Sequence, residues 1–128
     1  MAGREGRLAG VRVLVVDDEF FIAVDVVRAL RQCGAEPVGP VGSLADAEQL
    51  IAAERPDAVI LDLNLRGEFA YRLIDQINEQ GVPFLIVSGY SAQSVRDEFR
   101  DYPSLEKPVS EKKIVAALAK QLGRPSAD

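Results

Sequence analysis

Histidine is absent from this chain, and cysteine occurs once, as Cys33. The first absence excludes Ser-His-Asp and Cys-His nucleophile chemistry, together with His-ligated zinc. The second excludes an internal disulfide and a thiolate metal site, and it fits a reducing, cytoplasmic compartment. Cys33 itself reads as a small apolar residue near a helix end. No apolar run approaches the roughly 18 residues that a membrane span needs. Met1 to Gly10 lacks the apolar stretch of a signal peptide and reads as a flexible lead-in. Basic blocks are missing too. The fifteen Lys and Arg are scattered among twenty acidic residues, for a net charge of −5. That balance does not suit nucleic acid, where affinity comes largely from neutralising phosphates. Any metal held here is a hard cation on carboxylates.

What remains is ordinary globular material. The chain has 128 residues, 48% hydrophobic and 27% charged, enough for one domain with one core. Val11 to Val16 is a β-branched run that ends abruptly in acids, as a strand buried on both faces does. Ile22, Val26, Val27 and Leu30 then recur at helical spacing until Gly34. Glu36 to Val41 carries Pro37 and Pro40, which place it at a sheet edge. Ser43 with Asp46 three residues later starts a second helix, to about Glu54. Ala58 to Leu63 is a second buried strand. Phe69 to Gln80 is helical, and Phe84 to Val87 is a third buried strand. Ser91 to Phe99 has the thin apolar face of a short helix. Leu105-Glu106 is a brief strand, and Ser110 caps a last helix bearing Ile114, Val115, Leu118 and Leu122. Residues 123–128 read as a tail. Strands alternating with helices imply an α/β domain, a parallel sheet covered on both faces.

In such a sheet, ligands bind at the carboxyl ends of the strands, where this sequence places its polar residues. The first strand ends in Asp17-Asp18, the third carries Asp62 followed by Asn64, the fourth ends in Ser88, and the fifth in Lys107. Clustered carboxylates repel unless a cation neutralises them, and Mg²⁺ is the hard, oxygen-liganded choice. A cation beside an aspartate is the arrangement for phosphoryl transfer onto that aspartate. A hydroxyl and an ammonium complete a cradle for phosphoryl oxygens. Taken singly, each residue has a plainer explanation. Asp17 or Asp18 could cap a helix, Ser88-Gly89-Tyr90 could be a turn, and Lys107 could be a solvated surface charge. Asp62 is the exception, since a carboxylate within AVILDLNL is rarely buried without a partner.

The segments VLVVDDE, AVILDLNL, LIVSG and LEKPVS, in this order and each closing a strand, resemble the motifs of response-regulator receiver domains over Val11 to Leu122. The resemblance implies a flavodoxin-like, doubly wound five-stranded sheet of order 2-1-3-4-5. It implies that Asp62 accepts a phosphoryl group and that Asp18 binds Mg²⁺ directly. Asp17 would assist through water, and Asn64 would offer its backbone carbonyl. Ser88 would be the switch hydroxyl, Lys107 the phosphoryl-contacting lysine, and Lys107-Pro108 a cis bond. It also implies a sensor histidine kinase as phosphodonor and a signalling role rather than an enzymatic one.

Two departures stand out. Only 26 residues separate Asp62 from Ser88, and 19 separate Ser88 from Lys107, which shortens the fourth helical segment. The usual switch aromatic, three positions before the lysine, is here Ser104, and Tyr102 is out of register. Pro83 to Tyr90 (PFLIVSGY) resembles stand-alone receivers with a Pro-Phe-x-Phe-Ala-Thr-Gly-Tyr motif. Those are associated with HWE-type kinases in alphaproteobacterial stress circuits, and there Tyr90 becomes the candidate moving ring. A stand-alone receiver acts by protein contact or as a phosphate sink or relay, with the fourth and fifth helical segments and the last strand as candidate dimer face. The alternatives are a phosphate-independent scaffold, a fragment of a larger regulator, and a Mg²⁺-dependent phosphohydrolase. The last usually has an acidic residue two positions after the nucleophile, where this chain has Asn64.

Overall fold

A computed structural model describes residues 7–89 and 102–123 of the chain. The main sheet has five parallel strands: β1 (Arg12–Val16), β2 (Glu36–Val41), β3 (Ala58–Leu61), β6 (Phe84–Ser88) and β7 (Ser104–Glu106). Their spatial order is β2-β1-β3-β6-β7, so the strand order switches between β1 and β3, as a doubly wound sheet requires. Among the described residues four helices cover it: α1 (Phe20–Gln32), α2 (Leu44–Glu54), α3 (Tyr71–Glu79) and α4 (Glu111–Gln121).

The period-two geometry of a strand divides the apolar residues between two cores. Val13, Val15, Ala58, Ile60, Leu85 and Val87 point to one face and meet Val26 and Leu30 of α1 with Ile114 and Leu118 of α4. Leu14, Val16, Val59, Leu61, Phe84 and Ile86 point to the other and meet Ile51 of α2 with Leu73, Ile74 and Ile77 of α3. Both faces of the central strands are therefore dry, which is why those strands read as unbroken apolar runs. The edge strand β2 departs from regular pairing opposite Leu14 and Val16. Gly39 there has φ +87°, and a Cβ would come 3.2 Å from the Val15 carbonyl oxygen. The Gly39-Pro40 and Lys107-Pro108 peptide bonds are cis.

Two helix starts follow the sequence closely. The Ser43 hydroxyl accepts from the Asp46 N–H, and the Ser110 hydroxyl accepts from the Lys113 N–H, each at 3.2 Å. Ser43→Ala removes the first cap and is expected to cost about 1 kcal/mol, measured by urea denaturation.

The structure differs from the sequence reading in two places. Packing begins before Val11: Leu8 is fully buried among the α1 and α4 side chains, and its N–H donates to the Cys33 carbonyl. The expected lead-in through Gly10 is thus part of the fold from Leu8, because an apolar side chain there closes the end of that core. The helix expected from Phe69 begins instead at Tyr71. Asn64–Leu65 (β4) and Glu68–Phe69 (β5) form a small antiparallel hairpin before it. Arg66 and Gly67 are its two turn residues, with φ +54° and +89°. Positive φ at both central positions matches the twist of a two-residue hairpin. The helix expected over Ser91 to Phe99, Tyr90 and the tail beyond Gly123 lie outside the described residues.

Candidate functional site

The parallel ladder carries the acidic residues to one rim. The Asp17 N–H donates to the Val41 carbonyl and the Asp62 N–H to the Val16 carbonyl, at 2.9 and 2.8 Å. The backbone is thereby fixed one residue beyond the ends of β1 and β3. Lys107 follows β7, and its N–H donates to the Ser88 carbonyl at 2.7 Å. Asp17, Asp18, Asp62, Ser88 and Lys107 therefore stand at the carboxyl ends of four adjacent strands.

Oxygens of Asp17, Asp18 and Asp62 all lie within 4.8 Å of one another. Lys107 Nζ donates to Asp62 Oδ2 at 2.9 Å, to Asp17 Oδ2 at 3.0 Å, and to Glu19. The lysine, Asp17 and Asp62 side chains are 11%, 8% and 7% exposed, so these are desolvated pairs, unlike the usual surface ion pair. A backbone amide holds one oxygen of each aspartate. The Glu19 N–H donates to Asp17 Oδ1, the Asn64 N–H to Asp62 Oδ1, and the Arg66 N–H to Asp18 Oδ2, at 2.8, 3.1 and 2.9 Å.

Burial pushes the Asp62 carboxyl above the ordinary aspartate range, and the Lys107 and Asn64 hydrogen bonds offset part of that rise. Burial works against the Lys107 ammonium, but the hydrogen bonds it donates to Glu19, Asp62 and Asp17 outweigh it and hold its pKa above the ordinary lysine range. A raised folded-state pKa keeps the ammonium charged through the neutral range, and its contribution to stability is lost only as pH rises through that value. The one ammonium meets three carboxylates and Asp18 stands beside them, so the cluster retains an excess of negative charge.

Ser88 is buried at the end of β6. Tyr102 sits at the other end of that strand, its ring 5.1 Å from Phe84 and its hydroxyl accepting from the Asn78 amide. Sequence reasoning gave no role to Glu19 or to the Arg66 amide. The run Asp17-Asp18-Glu19 carried the signal for the first. Nothing in residue identity marks a backbone donor.

The profile of the response regulator receiver domain matches residues 13–119. This chain belongs to the response-regulator receiver family. It is 27% identical over 117 residues to the transcriptional regulatory protein PdtaR of Mycobacterium tuberculosis, an alignment covering 88% of this chain and 57% of that protein. The chain spans about half the length of the curated relatives it matches. Among solved structures it is similar to SdrG of Sphingomonas melonis Fr1, with TM-score 0.77 and 35% identity, covering 91% of this chain and 98% of that one. It is also similar to a Burkholderia pseudomallei response regulator solved with a phosphorylated aspartic acid, a calcium ion and citrate. That match has TM-score 0.73 and 25% identity, and covers 88% of this chain and 70% of that one.

Receiver domains are signalling modules of two-component systems, and they bind Mg²⁺ at an acidic pocket. The donor set here fits such an ion. It consists of three carboxylates whose oxygens lie within 4.8 Å of one another, all hard oxygen donors, in a chain without histidine. No helix among the described residues is long and apolar enough to cross a membrane.

Proposed function

We propose that this receiver domain accepts a phosphoryl group on Asp62 from a sensor histidine kinase of the HWE type and signals by protein contact. The single observation that carries the reading is the contact of Lys107 with both Asp62 and Asp17 inside a three-aspartate cluster. Asp17, Asp18, Asp62 and the Asn64 backbone carbonyl would hold Mg²⁺, Asp17 through water. Bound there, the ion offsets charge on the phosphoryl oxygens.

The chain's own groups account for the rest. Asp62 Oδ1 is occupied by the Asn64 N–H, and Oδ2 meets the lysine. An oxygen of the ionised Asp62 carboxylate attacks phosphorus in line. A new P–O bond forms as the bond to the donor nitrogen or oxygen breaks, and the leaving group keeps that electron pair. Lys107 then has a phosphoryl oxygen to hold in place of the carboxylate. Ser88, buried at the end of the adjacent strand, would be the hydroxyl that follows the new group.

Incubation of the purified chain with acetyl phosphate and Mg²⁺ is expected to add one phosphoryl group, read by intact mass, and EDTA is expected to prevent it. An unmodified mass after acetyl phosphate and after incubation with HWE-type kinases would leave the phosphate-independent scaffold as the better account.

A further inference from the structure

Two of the three clustered carboxylates receive a backbone N–H from the same short hairpin. Asn64 N–H donates to Asp62 Oδ1 and Arg66 N–H to Asp18 Oδ2. The Asn64 side chain closes the loop from within, since its Oδ1 accepts from the Gly67 N–H at 2.8 Å. Asp18 is bounded on the other side by Gly42, where a Cβ would come 3.2 Å from the Asp18 Cα. A carboxylate has two oxygens and about four lone-pair positions. One amide on Oδ2 therefore fixes the group while leaving Oδ1 open. These amides can be aimed only while Arg66 and Gly67 keep their left-handed backbone.

We propose that the β4–β5 hairpin is a positioning element for the cation. Its Asn64 and Arg66 amides set the Asp62 and Asp18 carboxylates, and Gly67 holds the turn that aims them. This rests on the reading of Asp17, Asp18 and Asp62 as the Mg²⁺ site. The arrangement acts like the outer hydrogen bonds of other metal sites, which orient the ligands and whose loss weakens binding roughly 10–100-fold. Gly67 is the place to test it. A Cβ there meets nothing within 4 Å, so a substitution acts through the backbone angle and not through a clash. Valine resists φ +89°, whereas asparagine tolerates a left-handed backbone.

The experiment is a calorimetric Mg²⁺ titration of the full chain as wild type, Gly67→Val, Gly67→Ala and Gly67→Asn, with circular dichroism and thermal melting on each. The rate of acetyl phosphate labelling is followed against Mg²⁺ concentration. Gly67→Val is expected to raise the Mg²⁺ Kd about tenfold, Gly67→Ala less, and Gly67→Asn by no more than about twofold. The Mg²⁺ concentration that gives half-maximal labelling is expected to shift in step with Kd. The alanine variant carries the test if the valine variant does not fold. A folded valine or alanine variant that binds Mg²⁺ as wild type does overturns the inference alone. So does an asparagine variant as weak as the valine one. A wild-type chain that binds no Mg²⁺ overturns both this inference and the cation-site reading.

Discussion

With asparagine at position 62 the chain will accept no phosphoryl group from acetyl phosphate, and without Mg²⁺ it will be more stable than wild type. The two effects have one cause. Burial raises the Asp62 pKa, so the native state holds a proton there more tightly than the unfolded chain does. Stability is then gained as pH falls through that window and lost as pH rises out of it. At neutral pH the ionised carboxylate opposes folding. Asparagine removes the charge, and Lys107 keeps Asp17 and Glu19 as partners. The gain is expected as a higher melting temperature for Asp62→Asn in EDTA, largest where the wild-type carboxyl is fully ionised. Mg²⁺ inverts the order. At a hundredfold excess over Kd, an ion that binds only the native state stabilises it by about 2.7 kcal/mol, and the variant has lost one of the three carboxylates. Thermal melts of both proteins, with Mg²⁺ and with EDTA across pH 5–8, check the crossing. Melts that run parallel under all conditions would show that Asp62 neither opposes folding nor binds the ion.

Lys107→Met produces the largest stability loss. Methionine keeps an apolar stem and deletes the ammonium. Asp17 and Asp62, 8% and 7% exposed, would then face each other without a counter-charge. Breaking a buried pair by removing one partner costs about 3 kcal/mol or more. The loss is expected to be greatest at neutral pH in EDTA. It shrinks as pH falls, because Asp62 takes up a proton readily, and it shrinks again in Mg²⁺, because the ion supplies the missing positive charge. Urea denaturation at pH 7 and pH 5, with and without Mg²⁺, measures this. A loss independent of both would mean that packing of the lysine stem, rather than charge, is what the residue contributes.

The residues of the rim were legible because each interrupts something. Asp17, Asp62 and Ser88 close apolar runs that only a doubly covered strand explains, and a carboxylate in that setting needs a partner. The strand order came with the resemblance to receiver domains, whereas alternation accounts only for Leu14 and Val15 facing different cores. The hairpin was hidden for a physical reason. Two-residue turns announce themselves through Asn-Gly or Asp-Gly, and Arg66-Gly67 reads as a solvated loop. Phe69 sits at helical spacing from Leu73, so it was placed on the helix, whereas its ring stacks on Tyr71 at 5.7 Å from the hairpin side. Leu8 was set aside as part of a lead-in because one apolar residue among small and polar ones carries no period. Glu19 reaches Lys107 across 88 positions of sequence, a pairing only the closed sheet creates.

The central claim is an acyl phosphate on Asp62, and borohydride tests it most directly. The reagent cleaves an aspartyl phosphate and leaves homoserine in its place. After acetyl phosphate and Mg²⁺, reduction and peptide mass spectrometry are expected to find homoserine at position 62 and at no other aspartate. Homoserine at Asp17 or Asp18, or a phosphoryl group that survives reduction on Ser88, would contradict the account.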